Sequence, residues 1–494
     1  MTVLDPDEDR ELLEQSTLSD ALKDPKQRKL LDLDEDENAP MQVVVELNLL
    51  HEGGVRGALQ RFEKLYGELV GRQKPRPVAN TYVACSLSMP EIQDLIERDQ
   101  DGTTSSTRAI YRIWPDFPVR ALIDRSVATV KADAARRSYE ASGVEVTWAV
   151  IDSGIDGGHP HFELYKTLGG DVKSLHRDFT GDEDESPGGA LVDEYGHGTH
   201  VAGIIAGGLS GDATPIVAQK AADDTNRGGR LTQRPIEDPE RLSGVAPRCK
   251  LVSLKVLNDQ GRSRSTDLLR ALQYIREELN GHGKLLRVNG VNLSVGYEFD
   301  AQWFACGQSP LCVEVDRLVQ SGVVVVTAAG NTGYGAQSSD EGRTKTGLTL
   351  TINDPGNSAL AITVGATHRD SPHTFGVSYF SSKGPTGDGR LKPDLVAPGE
   401  RITSCAAGRR LDPVKQLWGD TSDHPAAYID DSGTSMAAPH VSGAIAAFLS
   451  IRREFIGRPT DVKTIFLDNA TSLGRERYFE GHGMVDLMRA IQAV

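Results

Sequence analysis

The chain has 494 residues, of which 38% are hydrophobic and 25% are charged. Its 54 basic and 70 acidic residues give a formal net charge of −16, which argues against nucleic acid as the main partner. The length and the apolar content predict one large globular domain with a smaller one. We see no stretch of about 18 uncharged apolar residues, so we expect no membrane span.

The start of the chain and its cysteines indicate a cellular compartment. Residues 1–9 carry neither the basic nor the apolar run of a secretory signal peptide. The five cysteines are a sparse, odd-numbered set, in which Cys306 and Cys312 are close enough in sequence to pair. Free thiols are the favoured interpretation because disulfide scaffolds are denser in cysteine. We therefore expect a reducing, cytoplasmic location.

The N-terminal part of the chain is predicted to contain a tail and a small module. Residues 1–40 are polar and acidic, which is typical of a disordered tail. Residues 41–116 show the order β-α-β-α-β with room for one more strand, which predicts a ferredoxin-like α+β module. Ser88 and Glu91 have the spacing of a capping box. Residues 117–142 are predicted to be a connector that includes the processing region.

From residue 143 to 494 the pattern changes to buried strands that alternate with helices. This order predicts an α/β domain with a parallel sheet and helices on both faces. In such sheets, ligands bind beyond the C-terminal ends of the strands. The predicted strands are 144–151, 251–257, 291–295, 323–327 and 360–364, and the predicted surface loops are 209–241, 332–350 and 406–430.

Ser435 lies at the start of a small-residue, apolar helix that follows the turn at Gly433. We expect Gly433 to permit a sharp bend there, and we expect the helix to be buried on most faces. The free N–H groups and the positive dipole at a helix N-terminus favour a developing negative charge. This setting suits a nucleophilic serine, although a serine at a helix start is more often only a cap.

Other polar residues supply the groups that such a serine needs. Asp152 follows the first predicted sheet strand, His197 opens a small-residue helix, and Asn331 follows the strand 323–327. Taken singly, Asp152 would be a turn former, His197 a helix cap or an ordinary surface histidine, and Asn331 a turn residue. Together they provide an orienting acid, a general base and an oxyanion donor for acyl transfer. His200 and His440 in the same motifs are interpreted as structural.

The motifs Asp-Ser-Gly-Ile-Asp at 152, His-Gly-Thr-His-Val-Ala-Gly at 197, Ala-Ala-Gly-Asn at 328 and Gly-Thr-Ser-Met-Ala-Ala-Pro-His at 433 occur in this order. From about residue 144 to 490, the chain resembles the subtilisin-like serine proteases, or subtilases. The resemblance implies a triad of Asp152, His197 and Ser435. It also implies an oxyanion hole made by Asn331 and the N–H of Ser435.

The resemblance implies further roles. It assigns substrate binding to Ser294, Val295, Gly296, Ala329 and Gly330. The module 41–116 resembles the inhibitory propeptide of the family, which makes it an intramolecular inhibitor of this chain. A propeptide is usual for exported members, however, whereas intracellular members more often have a short N-terminal plug.

A calcium site is where the chain departs from the family pattern. Calcium-binding members often have an Asp shortly after the first motif, whereas this chain has His161 at that place. The loop that completes the family's calcium site is replaced here by the insertion 209–241. The chemistry requires no cofactor, and a structural calcium ion is left open with no ligands assigned.

The sequence thus predicts a serine endopeptidase that is made as a self-inhibited, autoprocessed precursor and that acts on protein or peptide substrates. A peptide ligase or cyclase on the same scaffold is one alternative. A non-catalytic peptide-binding protein is another, and the complete set Asp152, His197, Ser435 and Asn331 weighs against it. We expect neither a nucleic-acid nor a membrane partner.

Overall fold

The computed structural model describes residues 17–18, 22, 36–70, 74–79, 81–101, 104, 106–115, 125–181, 189–220, 231–236, 238–299, 305–339, 342–419 and 425–494. The chain divides into two compact units, Met1–Ala121 and Leu122–Val494. The acidic tail predicted over 1–40 lies outside the described residues, apart from 17–18, 22 and 36–40.

The first unit is a four-stranded antiparallel sheet in the order β2-β3-β1-β4. This is the ferredoxin-like arrangement predicted from the sequence, and β2 is the further strand for which the pattern left room. The capping box is confirmed, because the backbone N–H of Ser88 donates to Glu91 Oε2 over 2.8 Å. The elements are β1 (Met41–Leu47), α1 (Gly54–Leu69), β2 (Arg76–Ala79), β3 (Tyr82–Leu87), α2 (Met89–Gln100) and β4 (Ile110–Pro115).

The second unit alternates strands with helices along most of its length. Its strands are β5 (Thr147–Asp152), β6 (Arg177–Asp178), β7 (Ile216–Lys220), β8 (Leu231–Arg234), β9 (Lys250–Lys255), β10 (Gly290–Leu293), β11 (Val324–Ala328), β12 (Tyr334–Ser339), β13 (Gly342–Gly347), β14 (Ile362–His368), β15 (Leu395–Glu400), β16 (Ile402–Cys405) and β17 (Ala427–Asp431). Its helices are α3 (Arg125–Thr129), α4 (Ala132–Tyr139), α5 (His197–Ile205), α6 (Ser265–Gln273), α7 (Pro310–Gln320), α8 (Pro372–Phe375), α9 (Leu411–Trp418), α10 (Thr434–Ile451), α11 (Pro459–Asp468), α12 (Arg477–Glu480) and α13 (Leu487–Gln492).

The main sheet of the second unit is seven-stranded and parallel, in the order β15-β14-β11-β10-β5-β9-β6. From β5 the chain first adds β9 on one side and then crosses to add β10 on the other, so the strand order reverses at β5. A crevice opens at the carboxyl end of a sheet where the order reverses, and ligands bind there. The predicted parallel α/β fold is confirmed, and it places the end of β5 at the centre of the binding edge.

Both faces of the main sheet are covered. Along β5, Trp148 and Val150 belong to one buried core with α5 and α10. Ala149 and Ile151 point the opposite way, into a second core with α6 and α7. This alternation with period two explains why the strands are apolar throughout, since each residue of a parallel strand is buried on one face or the other.

The three predicted surface loops contain regular structure. Strands β7 and β8 lie in 209–241, β12 pairs with β13 within 332–350, and α9 and β17 occupy much of 406–430. A small sheet in the order β16-β17-β7-β8 joins two of these insertions. The prediction of loops was wrong there, because β7 pairs with β8 and β12 with β13 inside their own insertions, and β17 pairs with a strand far along the chain. Ala427 of β17, for example, pairs with Ile216 of β7.

Helix α10 runs through the middle of the second unit. It is long and apolar enough to cross a membrane by length and composition, but 83% of it is buried inside the unit. Burial on nearly all faces is what a core helix shows. It contains Pro439 in its interior, and its first turn carries Thr434 and Ser435.

The start of the second unit is tied to its end. Val130, Ala132 and Ala135, which fall in the predicted connector, are fully buried in the same core as α10. The backbone N–H of Leu487 donates to the carbonyl of Val130 over 3.2 Å. The Lys131 ammonium also pairs with the Asp486 carboxylate. Residues 125–139 therefore form an integral part of this unit.

Candidate active site

A cleft of about 340 Å³ opens at the carboxyl edge of the main sheet. Segments that follow β9, β10 and β11 line it together with the first residues of α5 and α10. Because consecutive strand ends meet at this edge, the cleft collects residues that are far apart in sequence. Its lining residues are Tyr195, His197, Leu257, Gly261, Ser294, Val295, Gly296, Ala328, Gly330, Asn331, Thr332, Asn353, Asp354, Thr434 and Ser435.

Asp152 and His197 form a close pair at the cleft. Asp152 is the last residue of β5 and is fully buried, whereas the side chain of His197 remains 13% exposed. His197 Nδ1 donates to Asp152 Oδ1 over 2.7 Å, and the N–H of Ser153 donates to the same oxygen over 2.8 Å. The carboxylate therefore fixes both the orientation of the imidazole and the tautomer that leaves Nε2 unprotonated.

A second buried carboxylate, that of Asp193, organises the loop before His197. Its Oδ1 accepts from Ser153 Oγ at 2.8 Å and from the N–H of Gly196 at 2.7 Å. Its Oδ2 accepts from the N–H and the hydroxyl of Thr199, at 2.8 and 2.6 Å. Burial raises the pKa of this carboxyl, and the hydrogen bonds oppose that rise. The sequence analysis did not assign Asp193 a role.

Gly196 shapes the turn into α5. Its φ of 84° is in the left-handed region, which favours glycine. A Cβ at this position would also lie 2.2 Å from the carbonyl oxygen of Ala407. A larger residue would therefore force either this turn or the Ala407 carbonyl to move.

Ser435 lies in the first turn of α10, where backbone N–H groups lack intrahelical acceptors. Its hydroxyl donates to the carbonyl of Ser294 over 3.1 Å, and Ser294 Oγ donates to the carbonyl of Ser435 over 3.0 Å. These two bonds join the start of α10 to the segment that follows β10. Gly433 has an extended φ of 164°, and the chain bends at this residue as it enters α10.

Asn331 is held with its amide oxygen turned toward the start of α10. Its Oδ1 accepts from the N–H of Thr434 at 2.9 Å and from the hydroxyl of Thr434 at 3.1 Å. This arrangement keeps Nδ2 available as a donor. A Cβ on Gly433 would lie 3.3 Å from Nδ2 and 3.7 Å from the Ser435 nitrogen, so glycine keeps the space between these two donors clear.

Most of the predicted substrate-binding residues line the cleft, namely Ser294, Val295, Gly296 and Gly330. Ala329 is different, because it is fully buried and lies outside the cleft lining. Its N–H donates to the carbonyl of Val364, and its carbonyl accepts from the N–H of Asn353, each over 3.0 Å. The neighbouring Ala328 lines the cleft instead.

The sequence analysis missed the aromatic wall of the cleft. The ring centroid of Tyr195 lies 6.4 Å from that of His197. The same ring packs on Gly261, where a Cβ would lie 2.5 Å from it. The position of Tyr195, two residues before His197, was the available signal.

The family model of the peptidase S8 subtilases matches residues 143–484, which is more than half of the chain. The chain belongs to the subtilase family. It is therefore a subtilisin-like serine protease, a hydrolase whose substrates are proteins or peptides.

Curated subtilases resemble the chain over most of its length. An "Intracellular serine protease" of Paenibacillus polymyxa is 29% identical over 74% of this chain and 85% of its own length. "Serine protease AprX" of Bacillus subtilis is 26% identical over 87% of this chain and 83% of its own length. "Subtilisin E" of Bacillus subtilis is 27% identical over 74% of this chain and 70% of its own length.

His161 stands where calcium-binding subtilases often have an Asp, but its surroundings do not fit a calcium site. Its Nε2 donates to the carbonyls of Gly203 and Ala206, at 3.2 and 3.1 Å, and its Nδ1 accepts from the Tyr428 hydroxyl at 2.9 Å. Calcium takes oxygen ligands, and this imidazole offers none. Burial, aided by neighbouring His159, lowers the pKa of His161 to about 3, so it is neutral. A structural calcium ion elsewhere in this subtilase stays open, with no ligands assigned.

The other two histidines of the motifs are buried and hydrogen-bonded to backbone carbonyls, and the cysteines of the chain are unpaired. His200 Nε2 donates to the carbonyl of Ile429 over 3.1 Å, and His440 Nδ1 donates to that of Met436 over 2.8 Å. Burial lowers their pKa values to about 3 and about 4. All five cysteines are free thiols, so Cys306 and Cys312 are not bonded to each other.

Proposed function

We propose that this subtilase is a serine endopeptidase whose catalytic triad is Asp152, His197 and Ser435. The observation that carries the proposal is the 2.7 Å hydrogen bond from His197 Nδ1 to Asp152 Oδ1, in the same cleft as Ser435. An acid that fixes the tautomer of a histidine leaves the other ring nitrogen free to take a proton from a serine hydroxyl.

In the proposed reaction, His197 Nε2 takes the proton of Ser435 as its Oγ attacks the scissile carbonyl carbon. The tetrahedral oxyanion accepts hydrogen bonds from Asn331 Nδ2 and from the N–H of Ser435. The carbon–nitrogen bond then breaks, and His197 gives its proton to the leaving amine. Water, deprotonated by His197, hydrolyses the resulting acyl-enzyme and restores Ser435. Apart from the substrate and water, these steps use only groups of the chain.

The Ser435 hydroxyl must turn before it can react, because it donates to the carbonyl of Ser294 in this structure. By family resemblance, the segment from Ser294 to Gly296 hydrogen-bonds the substrate backbone. A substrate N–H that takes over the Ser294 carbonyl would therefore release the hydroxyl toward His197. Catalytic hydrogen bonds often tighten only when substrate is bound.

The proposal is tested with Ser435→Ala. We expect hydrolysis of a denatured protein substrate to fall by at least about 10⁴-fold, since triad serines are indispensable. Reaction with a fluorophosphonate probe, followed by mass spectrometry, should label the wild type at Ser435 and leave the variant unlabelled. The matched control is Ser263→Ala, which changes an exposed serine outside the cleft. Appreciable turnover by Ser435→Ala would disprove the triad.

The same samples distinguish hydrolysis from ligation. Products formed in the presence of an amine acceptor should be mainly free acids if the enzyme is an endopeptidase. A predominance of acceptor-joined peptides would instead support a ligase or cyclase. The absence of both labelling at Ser435 and turnover would favour a non-catalytic peptide-binding protein.

We also propose that the first unit inhibits the second until the chain cuts itself. The proposal rests on family resemblance and on the separate ferredoxin-like fold of residues 41–115. Because Val130, Ala132 and Ala135 are buried in the catalytic core, a cut within 126–135 would require this core to open. We therefore place the cut between Pro115 and Arg125, where β4 ends and α3 begins.

Intact mass of the purified protein tests self-processing. The wild type should lose a fragment that ends between residues 115 and 125, whereas Ser435→Ala should stay full length. If both stay full length, the first unit is not removed by Ser435 chemistry.

We also propose a cytoplasmic location, which the names of the intracellular relatives support.

A further inference from the structure

The backbone on both sides of Asn331 is bound to one buried serine. The N–H of Ser382 donates to the carbonyl of Gly330 over 2.9 Å. Ser382 Oγ accepts from the N–H of Thr332 over 3.2 Å, and Ser382 is fully buried. Asn331 therefore lies in the middle of a three-residue segment whose two ends are bound to the same residue.

Lys383, the next residue after this serine, adds a further attachment. Its ammonium donates to the carbonyls of Gly333 and Tyr379, at 2.9 and 3.1 Å. A Cβ on Gly333 would lie 1.9 Å from the carbonyl oxygen of Ser381, so the two stretches of backbone are in direct contact there. The chain that follows the proposed oxyanion donor is thus attached to its neighbour by a lysine side chain as well as by a serine.

The Lys383 ammonium is buried without an ion pair. Lys383 is only 5% exposed, and its Nζ lies 5.1 Å from the centroid of the Phe479 ring. Among the residues that the structure describes, no carboxylate lies within ion-pair distance of it, and burial lowers its pKa. Lysine is rarely buried unless it is paired. Because a desolvated cation binds its remaining acceptors strongly, the two carbonyls are held at fixed positions.

We infer that Lys383 is a positioning residue that keeps the proposed oxyanion donor Asn331 in place. This inference rests on the proposed function. Lys383 lies outside the cleft lining, so it acts through the backbone of Gly333, two residues from Asn331, and not on the substrate. An oxyanion donor must point at the charge that develops in the transition state, and a misplacement of about 1 Å can lower the rate by about 10²-fold.

Lys383→Met keeps an unbranched apolar side chain of similar length and removes the cation. Because the Gly333 carbonyl then loses a donor, Asn331 can shift. We expect kcat for a peptide substrate to fall by about tenfold, and we expect KM to change by less than about twofold, since the oxyanion exists only in the transition state. Complete labelling with a fluorophosphonate probe counts the active molecules, so a lower folded fraction does not change the measured kcat.

A second variant, Asn331→Ala, shows whether Lys383 acts through Asn331. By itself this variant should lower kcat by about 10²- to 10³-fold, the usual cost of one lost oxyanion donor. In its background, Lys383→Met should lower kcat by less than about twofold, because the donor that Lys383 positions is gone. A lysine that only stabilised the fold would lower kcat by the same factor with and without Asn331, since independent effects multiply.

Lys250→Met is the matched control. The Lys250 ammonium also donates to two backbone carbonyls, those of Tyr165 and Lys166, at 3.1 and 2.6 Å. Lys250 begins β9, at the opposite end of the main sheet from the cleft. We expect this variant to keep kcat within about twofold of the wild type. If Lys383→Met does not fold, Lys383→Gln, which keeps one donor group, takes its place with the same expected pattern.

The remaining outcomes separate the inference from the function on which it rests. An unchanged kcat in Lys383→Met overturns the inference, as do equal losses of kcat with and without Asn331 or an equal loss in Lys250→Met. A raised KM with unchanged kcat would place Lys383 in substrate binding, which also overturns it. Full activity of Asn331→Ala would instead reject the proposed oxyanion donor, and failure of the wild type to hydrolyse any peptide would reject the proposed function.

Discussion

Two histidines contact opposite ends of helix α5. His197 is its first residue, and His161 packs against its last turn from another part of the chain. The two imidazoles have opposite environments. His197 remains partly exposed in the cleft and donates to a carboxylate, that of Asp152. His161 is buried and donates to the carbonyls of Gly203 and Ala206. The imidazole of His197 therefore faces a carboxylate, whereas that of His161 faces two carbonyls and stays neutral.

The contrast shows that acceptors alone do not decide the charge of a histidine. Carbonyls at a helix C-terminus favour a cation, and His161 has two of them. Its pKa nevertheless falls to about 3, because loss of water outweighs both hydrogen bonds. A histidine that acts as the general base of a hydrolase requires a neighbouring carboxylate and access to solvent. His197 has both, and His161 has neither.

Asp152→Asn should remove most of the difference between the environments of His197 and His161. The amide offers no negative charge to an imidazolium, and it can bind the wrong tautomer of His197. We expect kcat to fall by about 10⁴-fold with the fold retained, as for the acid of comparable triads. Activity assays with circular dichroism measure this. Asp171→Asn, a change of an exposed carboxylate outside the cleft, is the control, and equal activity of both variants would contradict the role of Asp152.

Asp193→Asn should weaken the difference between the environments of His197 and His161 without removing it. An amide replaces one acceptor oxygen by a donor, which faces either the Gly196 and Ser153 donors or those of Thr199. We expect kcat to fall by about 10- to 100-fold with little change in KM, and stability to fall by about 1–3 kcal/mol. Steady-state kinetics and urea unfolding measure the two effects. A loss of stability with unchanged kcat would limit Asp193 to a structural role.

His161→Gln should show how much the neutral histidine contributes to the pH dependence of stability. Because the folded-state pKa of His161 is about 3 and its ordinary value is 6.5, the unfolded chain binds more protons between these pH values. The contribution of His161 to stability is therefore fully present above pH 6.5 and is lost as the pH falls. From pH 7 to 5, the wild type should lose about 2 kcal/mol relative to the variant.

Urea midpoints at both pH values, compared between wild type and His161→Gln, measure the difference. The groups that face His161 are His159, the Tyr428 hydroxyl and the two carbonyls, and they remain in both proteins. A parallel loss of stability in both proteins would mean that His161 is protonated in the folded state.

The sequence predicts the parallel α/β fold, and it explains why the proposed site residues lie at one edge of the main sheet. Asp152, His197, Asn331 and Ser435 each follow a strand or open a helix, and parallel strand ends meet at one edge. Local motifs therefore suffice to bring these residues together. The family resemblance assigned Ala329, whereas Ala328 lines the cleft, because a shift of one residue at a strand end reverses which side chain faces it.

Long-range pairing explains what the sequence could not predict. Strand β17 pairs with β7, about two hundred residues earlier, and neither segment has a strong pattern of its own. Asp193 gains its role only when Ser153, 40 residues away, donates to it. Burial of His161 likewise depends on Tyr428, which is 267 residues away. Such contacts exist only once the whole unit has folded.

The hydrogen bond between Val130 and Leu487 has a consequence for engineering. It brings the beginning and the end of the catalytic unit side by side, so a short peptide linker could join them into a continuous chain. New termini could then be opened in an exposed turn far from the cleft, as is done when a protein is circularly permuted. A permuted enzyme of this kind would carry its first unit at a site of choice, or not at all.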